Sequence, residues 1–371
     1  MNIKKIIQKL DLPLLLPVGL LVTIGLFMVF SATHSKITGQ PFYYLSRQAG
    51  AALLGLLAGF AVLFFDYRIS AKTVYFLYGL NILLLVLVLF IGKEVNGARS
   101  WLFFFQPSEF SKLVTIITLA KYLAERNRLS SFGDLLVPFA LMGLPALLII
   151  VQPNLGTALV FIFFTFLMLY AAGFPGRKLL ALIFGGIFAI ALLFLSHQYL
   201  HTPLPVKAYQ IDRLTNFTHP DRDPNGTGWQ LNQAMIAVGS GQFSGKGYLR
   251  GTQGRLGYLP ESHTDFIFSV LSEELGFVGS FGVLLLYFIF IWRGLRIASL
   301  AKEENGCLIA TGITAMFLFH VLENIGMNMG IMPVAGIPLP FISFGGTSMV
   351  INLVSIGFIA NIWIRHQKIS F

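Results

Sequence analysis

The stretch Leu12-Pro13-Leu14-Leu15-Leu16-Pro17-Val18-Gly19-Leu20-Leu21-Val22-Thr23-Ile24-Gly25-Leu26-Phe27-Met28-Val29-Phe30 carries no charge over nineteen residues. Coiled as a helix it is about 28 Å long at 1.5 Å per residue, close to the roughly 30 Å hydrocarbon core of a bilayer. Lys4, Lys5 and Lys9 precede it, as they would in a signal peptide. The run is too long for an h-region, however, and no small-residue cleavage site follows, so it is read as a retained first helix.

Nine more runs of this kind follow. The ten expected spans are 12–32, 49–65, 73–92, 108–123, 134–151, 156–173, 179–197, 265–292, 306–329 and 345–364. The fourth is the weakest, since Glu109 and Lys112 sit inside it. Composition agrees: 56% of the 371 residues are hydrophobic and 11% charged, against about 25% charged in soluble domains. The expectation is an all-α polytopic integral membrane protein, a single transmembrane domain over 1–371 with a large extracellular loop, 198–264, inside it. The net charge of +10 does not signal nucleic acid, because the charges punctuate apolar runs rather than gather on one soluble face. The single cysteine, Cys307, excludes an internal disulfide and a cysteine-based metal site.

Basic residues set the orientation. With the N-terminus inside, fifteen lysines and arginines fall in inner segments, among them Arg68, Arg126, Lys178, Arg293 and Arg365. Four, Lys36, Arg47, Lys93 and Arg99, fall in short outer loops. By the positive-inside rule both termini are cytoplasmic. The loop 198–264 is then outside. It holds an amphipathic stretch around Trp229–Val238, followed by seven glycines within Gly239–Gly257. A short helix and then irregular backbone able to approach a ligand is expected there.

Charge within or at the edge of spans marks where chemistry could sit. Asp265 opens the eighth span at the outer interface. Two readings stand: a carboxylate favoured by the dipole at a helix start, or a general base whose basicity is raised by partial desolvation. Glu109 and Lys112, three apart, share a helix face and form an expected ion pair. Such a pair lets the helix tolerate membrane depth and can also orient a catalytic group. Glu273 and Glu274 lie about 12 Å further along the eighth span, too divergent on the wheel to share one cavity with Asp265, so one of them is expected to contact another helix. His320, Glu323 and Asn324 are expected to form an interhelical hydrogen-bond cluster. In the glycine stretch, Lys246, Arg250 and Arg255 beside free backbone amides suit an anion such as a diphosphate, although a solvated loop is the plainer reading. It is not a P-loop: Ser240 stands where the first glycine should be, and Gly247 where Ser or Thr should be. On this topology these segments, with Gln106-Pro107, Gln152-Pro153-Asn154 and Ile337-Pro338-Leu339-Pro340-Phe341, open to one side, as a shared cavity would.

The same segments resemble the SEDS family, the shape, elongation, division and sporulation proteins of bacterial cell walls. The matches, in order, are Asn96-Gly97-Ala98, Gln106-Pro107-Ser108-Glu109 with Lys112, Gln152-Pro153-Asn154-Leu155-Gly156-Thr157, Ala237-Val238-Gly239-Ser240-Gly241, Lys246-Gly247, Tyr258-Leu259-Pro260-Glu261, His263-Thr264-Asp265-Phe266, Glu273-Glu274-Leu275-Gly276 and Pro338-Leu339-Pro340-Phe341-Ile342-Ser343-Phe344-Gly345-Gly346. Gly251-Thr252-Gln253 looks more like the elongation branch than the division branch. In one departure, Ser100 precedes Trp101, where the family more often has arginine, and Arg99 stands one place earlier.

The resemblance implies a ten-helix fold and a peptidoglycan glycosyltransferase that polymerises lipid II at the outer face of the bacterial cytoplasmic membrane. It implies catalysis at Asp265 supported by Glu109 and Lys112. Arg99, Gln152, Asn154, Lys246, Arg250, Glu261 and His263 are the candidate substrate-binding residues, and no metal ligands are assigned. A divalent cation, magnesium or manganese, is implied, with no organic cofactor. The implied partners are lipid II and polyprenyl diphosphate, a class B penicillin-binding protein that supplies the transpeptidase, and other elongation-complex proteins. Two other functions compete. A lipid flippase or transporter should offer a polar path through the full thickness, and a non-catalytic scaffold would leave Asp265 and the glycine loop without a role.

Overall fold

The computed structural model describes residues 8–34, 40–95, 98–126, 129–200, 217, 223 and 226–366. The expectations for Asn96 and Gly97, and for most of 201–225, lie outside the described residues. Helices are α1 Leu12–Thr33, α2 Tyr43–Val62, α3 Ala71–Ile91, α4 Pro107–Ala124, α5 Leu136–Val151, α6 Leu155–Ala171, α7 Gly176–Leu200, α8 Thr227–Ser240, α9 Ile267–Leu300, α10 Glu304–Asn328 and α11 Gly346–His366. A hairpin of β1 Lys93–Val95 and β2 Ala98–Trp101 follows α3. Among the described residues eight helices are long and apolar enough to cross a membrane. The shorter apolar α6 and the charge-bearing α4 complete the ten expected, and α8 is the short helix anticipated in the outer loop.

The starts of the helices follow from local chemistry. Asp11 caps α1 by accepting from the Leu14 amide, with Pro13 in the first turn, where its missing N–H costs nothing. Ser70 caps α3 and Asn154 caps α6 through the Thr157 amide. Apolar faces point outward to lipid: Leu53, Leu54, Leu56 and Leu57 of α2 are exposed, as are Phe184, Ile187 and Phe188 of α7. Of the eight long apolar helices, α10 and α11 are the most enclosed and α7 the least; α4 is buried along most of its length as well. The pairs α2 with α11, α9 with α10, α6 with α10, and α1 with α9 form the packed centre.

Two departures from regular helix shape the molecule. The eighth expected span is not continuous: α9 breaks at Gly276, whose φ of 67° favours glycine. The break frees backbone groups on both sides, and the glycine loop takes them. Lys246 and Gly247 amides donate to the Glu273 and Glu274 carbonyls, while Phe277 and Val278 amides donate to the Gln242 and Phe243 carbonyls. The second departure is the non-helical segment 333–345 between α10 and α11. Irregular backbone at membrane depth must be enclosed by protein, and this segment is. Gln48 of α2 donates to the Ser343 carbonyl and accepts from the Gly345 amide, the Tyr287 hydroxyl of α9 donates to the Pro340 carbonyl, and the Phe344 amide donates to the His263 carbonyl.

The opposite face, where Asp11 and Arg365 lie, is cross-tied. Arg293 at the end of α9 makes a two-pronged contact with Asp11 and stacks on Trp363 of α11, 4.7 Å from the ring centre. Arg68 pairs with Glu303 at 2.9 Å and Arg365 with Asp66 at 3.2 Å. These contacts join the α2–α3 and α9–α10 connections with both ends of the bundle, which the charge-based topology had put on one side.

Candidate active site

The site is built around α10. Four turns in, His320 points toward α4, where Lys112 donates to Glu109 Oε1 at 2.8 Å and to His320 Nε2 at 3.0 Å. The His320 Nδ1 faces the Pro338 carbonyl at 3.3 Å. Since a carbonyl only accepts, Nδ1 carries the proton and Nε2 is the acceptor for the lysine, which is the tautomer of a neutral imidazole. The expected pair is therefore present and has a third member. It is also enclosed: Lys112 is 1% and Glu109 3% exposed. Lys112 is thus withdrawn from direct contact with a bound diphosphate in this state.

One turn further along α10, Asn324 donates to two carbonyls, Ile337 at 2.8 Å and Asp265 at 2.9 Å. Asn328, a turn beyond, donates to the Asp265 carbonyl at 3.0 Å and accepts from the Ser269 amide and hydroxyl. Asp265 itself is half-buried just ahead of the first residue of α9. Its Oδ2 lies 3.4 Å from where a Cβ on Gly336 would stand, and Gly336 has a φ of 70°. A side chain there would be strained in its backbone and crowd the carboxylate. Polar contacts thus run from Glu109 and Lys112 of α4 through His320 of α10 to the Pro338 carbonyl, and Asn324, one turn on, ties the adjacent Ile337 carbonyl to the backbone carbonyl of Asp265.

The remaining candidates divide. His263 sits between the rings of Tyr44 and Phe344, with centroids at 5.0 and 5.6 Å. Glu261 accepts from the Thr264 hydroxyl at 3.1 Å. Both lie in the turns that lead into Asp265 and α9. Lys246 is held against the fully buried Glu273 at 2.6 Å, together with Thr252. Glu274 accepts from the Ser31 hydroxyl of α1 and from the Leu249 and Gly251 amides. The two neighbouring glutamates thus hold the glycine loop down, and Lys246 is committed to one of them, which leaves Arg250 and Arg255 as the exposed cations of that loop. Gln152 donates to the Leu85 carbonyl and so ties the end of α5 to α3, and Asn154 caps its own helix, α6, so both are engaged in structural contacts. Arg99 is on the exposed hairpin, 3.5 Å from Glu94. Among the described residues no three His, Cys, Asp or Glu side chains come together as a metal cage. The described side chains by themselves offer no such cage for a divalent ion.

Sequence reasoning placed Asn324 in a polar cluster but missed Asn328 and the Lys112–His320 contact. The signal available for Asn328 was its spacing: His320, Asn324 and Asn328 recur every four residues in an apolar span, which puts them on one face.

A bundle of ten long helices with an enclosed, non-helical segment beneath a half-buried carboxylate defines a polytopic membrane protein with a polar site at one mouth. The chain belongs to the FtsW/RodA/SpoVE family, described as cell cycle proteins, whose model matches residues 12–368. Over 365 residues it is 38% identical to the probable peptidoglycan glycosyltransferase FtsW of Trichlorobacter lovleyi, covering 95% of this chain and 92% of that protein. Among solved structures it resembles a chain of a peptidoglycan synthase complex that coordinates polymerization and crosslinking, with a TM-score of 0.81, 32% identity and coverage of 96% and 98% of the two chains. It also resembles the rod shape determining protein RodA of Thermus thermophilus, with a TM-score of 0.70, 31% identity and coverage of 97% and 98%.

Proposed function

We propose that this protein is a peptidoglycan glycosyltransferase that joins lipid II units into glycan at the outer face of the cytoplasmic membrane. The observation that carries the reading is Asp265, half-buried at the mouth and connected through α10 to the enclosed Glu109–Lys112 pair. An acceptor sugar hydroxyl attacks the anomeric carbon of the donor. The Asp265 carboxylate takes the hydroxyl proton, the bond to the polyprenyl diphosphate breaks, and the diphosphate leaves with the electron pair. A single displacement inverts the anomeric centre. Arg250, exposed on the glycine loop, is suited to the departing diphosphate, and Lys112 contributes its field from within the low-dielectric interior rather than by contact. The polyprenyl tails stay in lipid while the head groups react.

A carrier would have to open the opposite face, and the ties Arg293–Asp11, Arg68–Glu303 and Arg365–Asp66 oppose that. Within the family, Gly251-Thr252-Gln253 supports a role in elongation and rod shape. The higher identity to an FtsW-named relative makes division the alternative. Rescue of rod shape, and not of septation, in depletion strains tests that choice. A class B penicillin-binding protein is the proposed membrane partner, tested by co-purification.

The decisive experiment is incubation of purified protein with lipid II and measurement of a glycan ladder. Wild type should polymerise, and Asp265→Asn at matched folded concentration should lose about 10² to 10⁴ in rate. No polymer from wild type refutes the enzyme reading, and near-normal polymer from Asp265→Asn removes that residue from the chemistry.

A further inference from the structure

The start of α9 is set partly by local turns, with the Phe266 amide on the Glu261 carbonyl and the Val270 amide on the Phe266 carbonyl, and partly by α10. Phe266 at the cap position offers no side-chain acceptor, and the Ser269 amide, which reaches the Phe266 carbonyl at 3.1 Å in a 3-10-type turn, shares its proton with an acceptor from outside the helix. A helix begun one residue earlier would pair the Asp265 carbonyl with the Ser269 amide, its partner four residues on. Both halves of that hydrogen bond are occupied by a single side chain from another helix. Asn328 accepts from the Ser269 amide at 3.1 Å and donates to the Asp265 carbonyl at 3.0 Å. Asn324 adds a second donor to the same carbonyl and, from the same nitrogen, holds the Ile337 carbonyl. Both asparagines are 0% exposed, so neither touches substrate.

We propose that Asn324 and Asn328 are positioning residues that stop α9 short of Asp265 and fix its carboxylate over Gly336; the proposal rests on Asp265 being the base. Asn328 stands in the place of the hydrogen bond that would draw Asp265 into the helix, and Asn324 sets the distance between the Asp265 backbone and the 336–338 segment. Extending the helix by a residue would turn the carboxylate away from its present direction. Because the two amides act on a carbonyl and not on the carboxylate, their effect is geometric and should fall on turnover rather than on lipid II binding.

The test is a double-mutant cycle. Polymerisation kcat and KM for lipid II are measured for Asn324→Ala and Asn328→Ala in the wild-type and Asp265→Glu backgrounds, with Asp265→Asn alongside. Each asparagine variant should lower kcat by about one to two orders of magnitude, the scale of a misplaced reacting group, with KM within about threefold. In Asp265→Glu, whose carboxylate is already displaced, the further loss should be smaller than in wild type. The same factor in both backgrounds, or a loss confined to KM, overturns positioning even when Asp265→Asn is inactive. An active Asp265→Asn overturns the base assignment and this proposal with it. Where Asn324→Ala does not fold, Asn324→Ser, which keeps one donor, runs through the same cycle and should show a smaller loss with the same non-additivity.

Discussion

Neutralising Lys112 should harm the protein more than neutralising both members of its pair. The ammonium and carboxylate are 2.8 Å apart and almost wholly enclosed. At an effective dielectric near 20, two unit charges at that distance attract by about 6 kcal/mol, most of which offsets the loss of hydration. Removing one partner leaves the other charge with that cost uncompensated, about 3 to 5 kcal/mol. Lys112→Met is the sharper of the two single changes. Among the described residues Glu109 Oε2 has no hydrogen-bond partner, so losing the lysine removes the hydrogen bond that Oε1 accepts and leaves the carboxylate stranded. Glu109→Gln keeps an acceptor for Lys112, and His320 still receives the ammonium. The double variant Glu109→Gln, Lys112→Met contains no stranded charge and should be more stable than Lys112→Met by about 2 kcal/mol or more. Heating in detergent followed by size-exclusion chromatography gives the midpoint of each. At about 2 to 4 °C per kcal/mol, the double should melt on the order of 5 °C above the lysine single. Losses from the two singles that simply add would refute the pairing argument.

Two further outcomes follow from the fold. Gly276→Ala should reduce the yield of folded protein and lower its melting midpoint, because the added Cβ would stand 2.3 Å from the Gly245 amide nitrogen at a φ that alanine avoids; an unchanged midpoint would mean that the break is not held as described. With Cys307 replaced, a cysteine at position 225 should react with a membrane-impermeant thiol reagent in intact cells and one at Arg126 should not. The reverse pattern would put the mouth on the cytoplasmic side.

Spans were legible because about twenty apolar residues have few other ways to be stable, and the ten expected runs match ten helices within a few residues at most ends. Even the weak fourth one was recoverable, since Glu109 and Lys112 three apart predicted their own pairing. What sequence could not give was contact across distance. Lys246 reads as a free cation because nothing local shows that Glu273, twenty-seven residues later, lies against it. The break at Gly276 is hidden because glycine inside an apolar run is common in membrane helices. Its signature is split between two places, the Glu273-Glu274-Leu275-Gly276 step and a loop whose amides are free to replace the lost helical bonds. Likewise Gln152 looks like a ligand contact by residue type, and its engagement appears only once Leu85 is placed beside it, whereas the cap that Asn154 makes three residues on is a local signal that sequence reading passed over.

The enclosed segment 333–345 has a consequence for how the protein is made. It meets Gln48 across 297 residues, His263 from before α9, and Tyr287 and His320 from α9 and α10. A ribosome delivers the chain from one end, so α1 to α9 enter the bilayer with the floor of the mouth still missing. Loop closure of that length is slow and comes late. Nascent chains should therefore be catalytically silent until segment 333–345 has packed, and a chain cut short before Pro333 should form most of the bundle without the floor of the mouth.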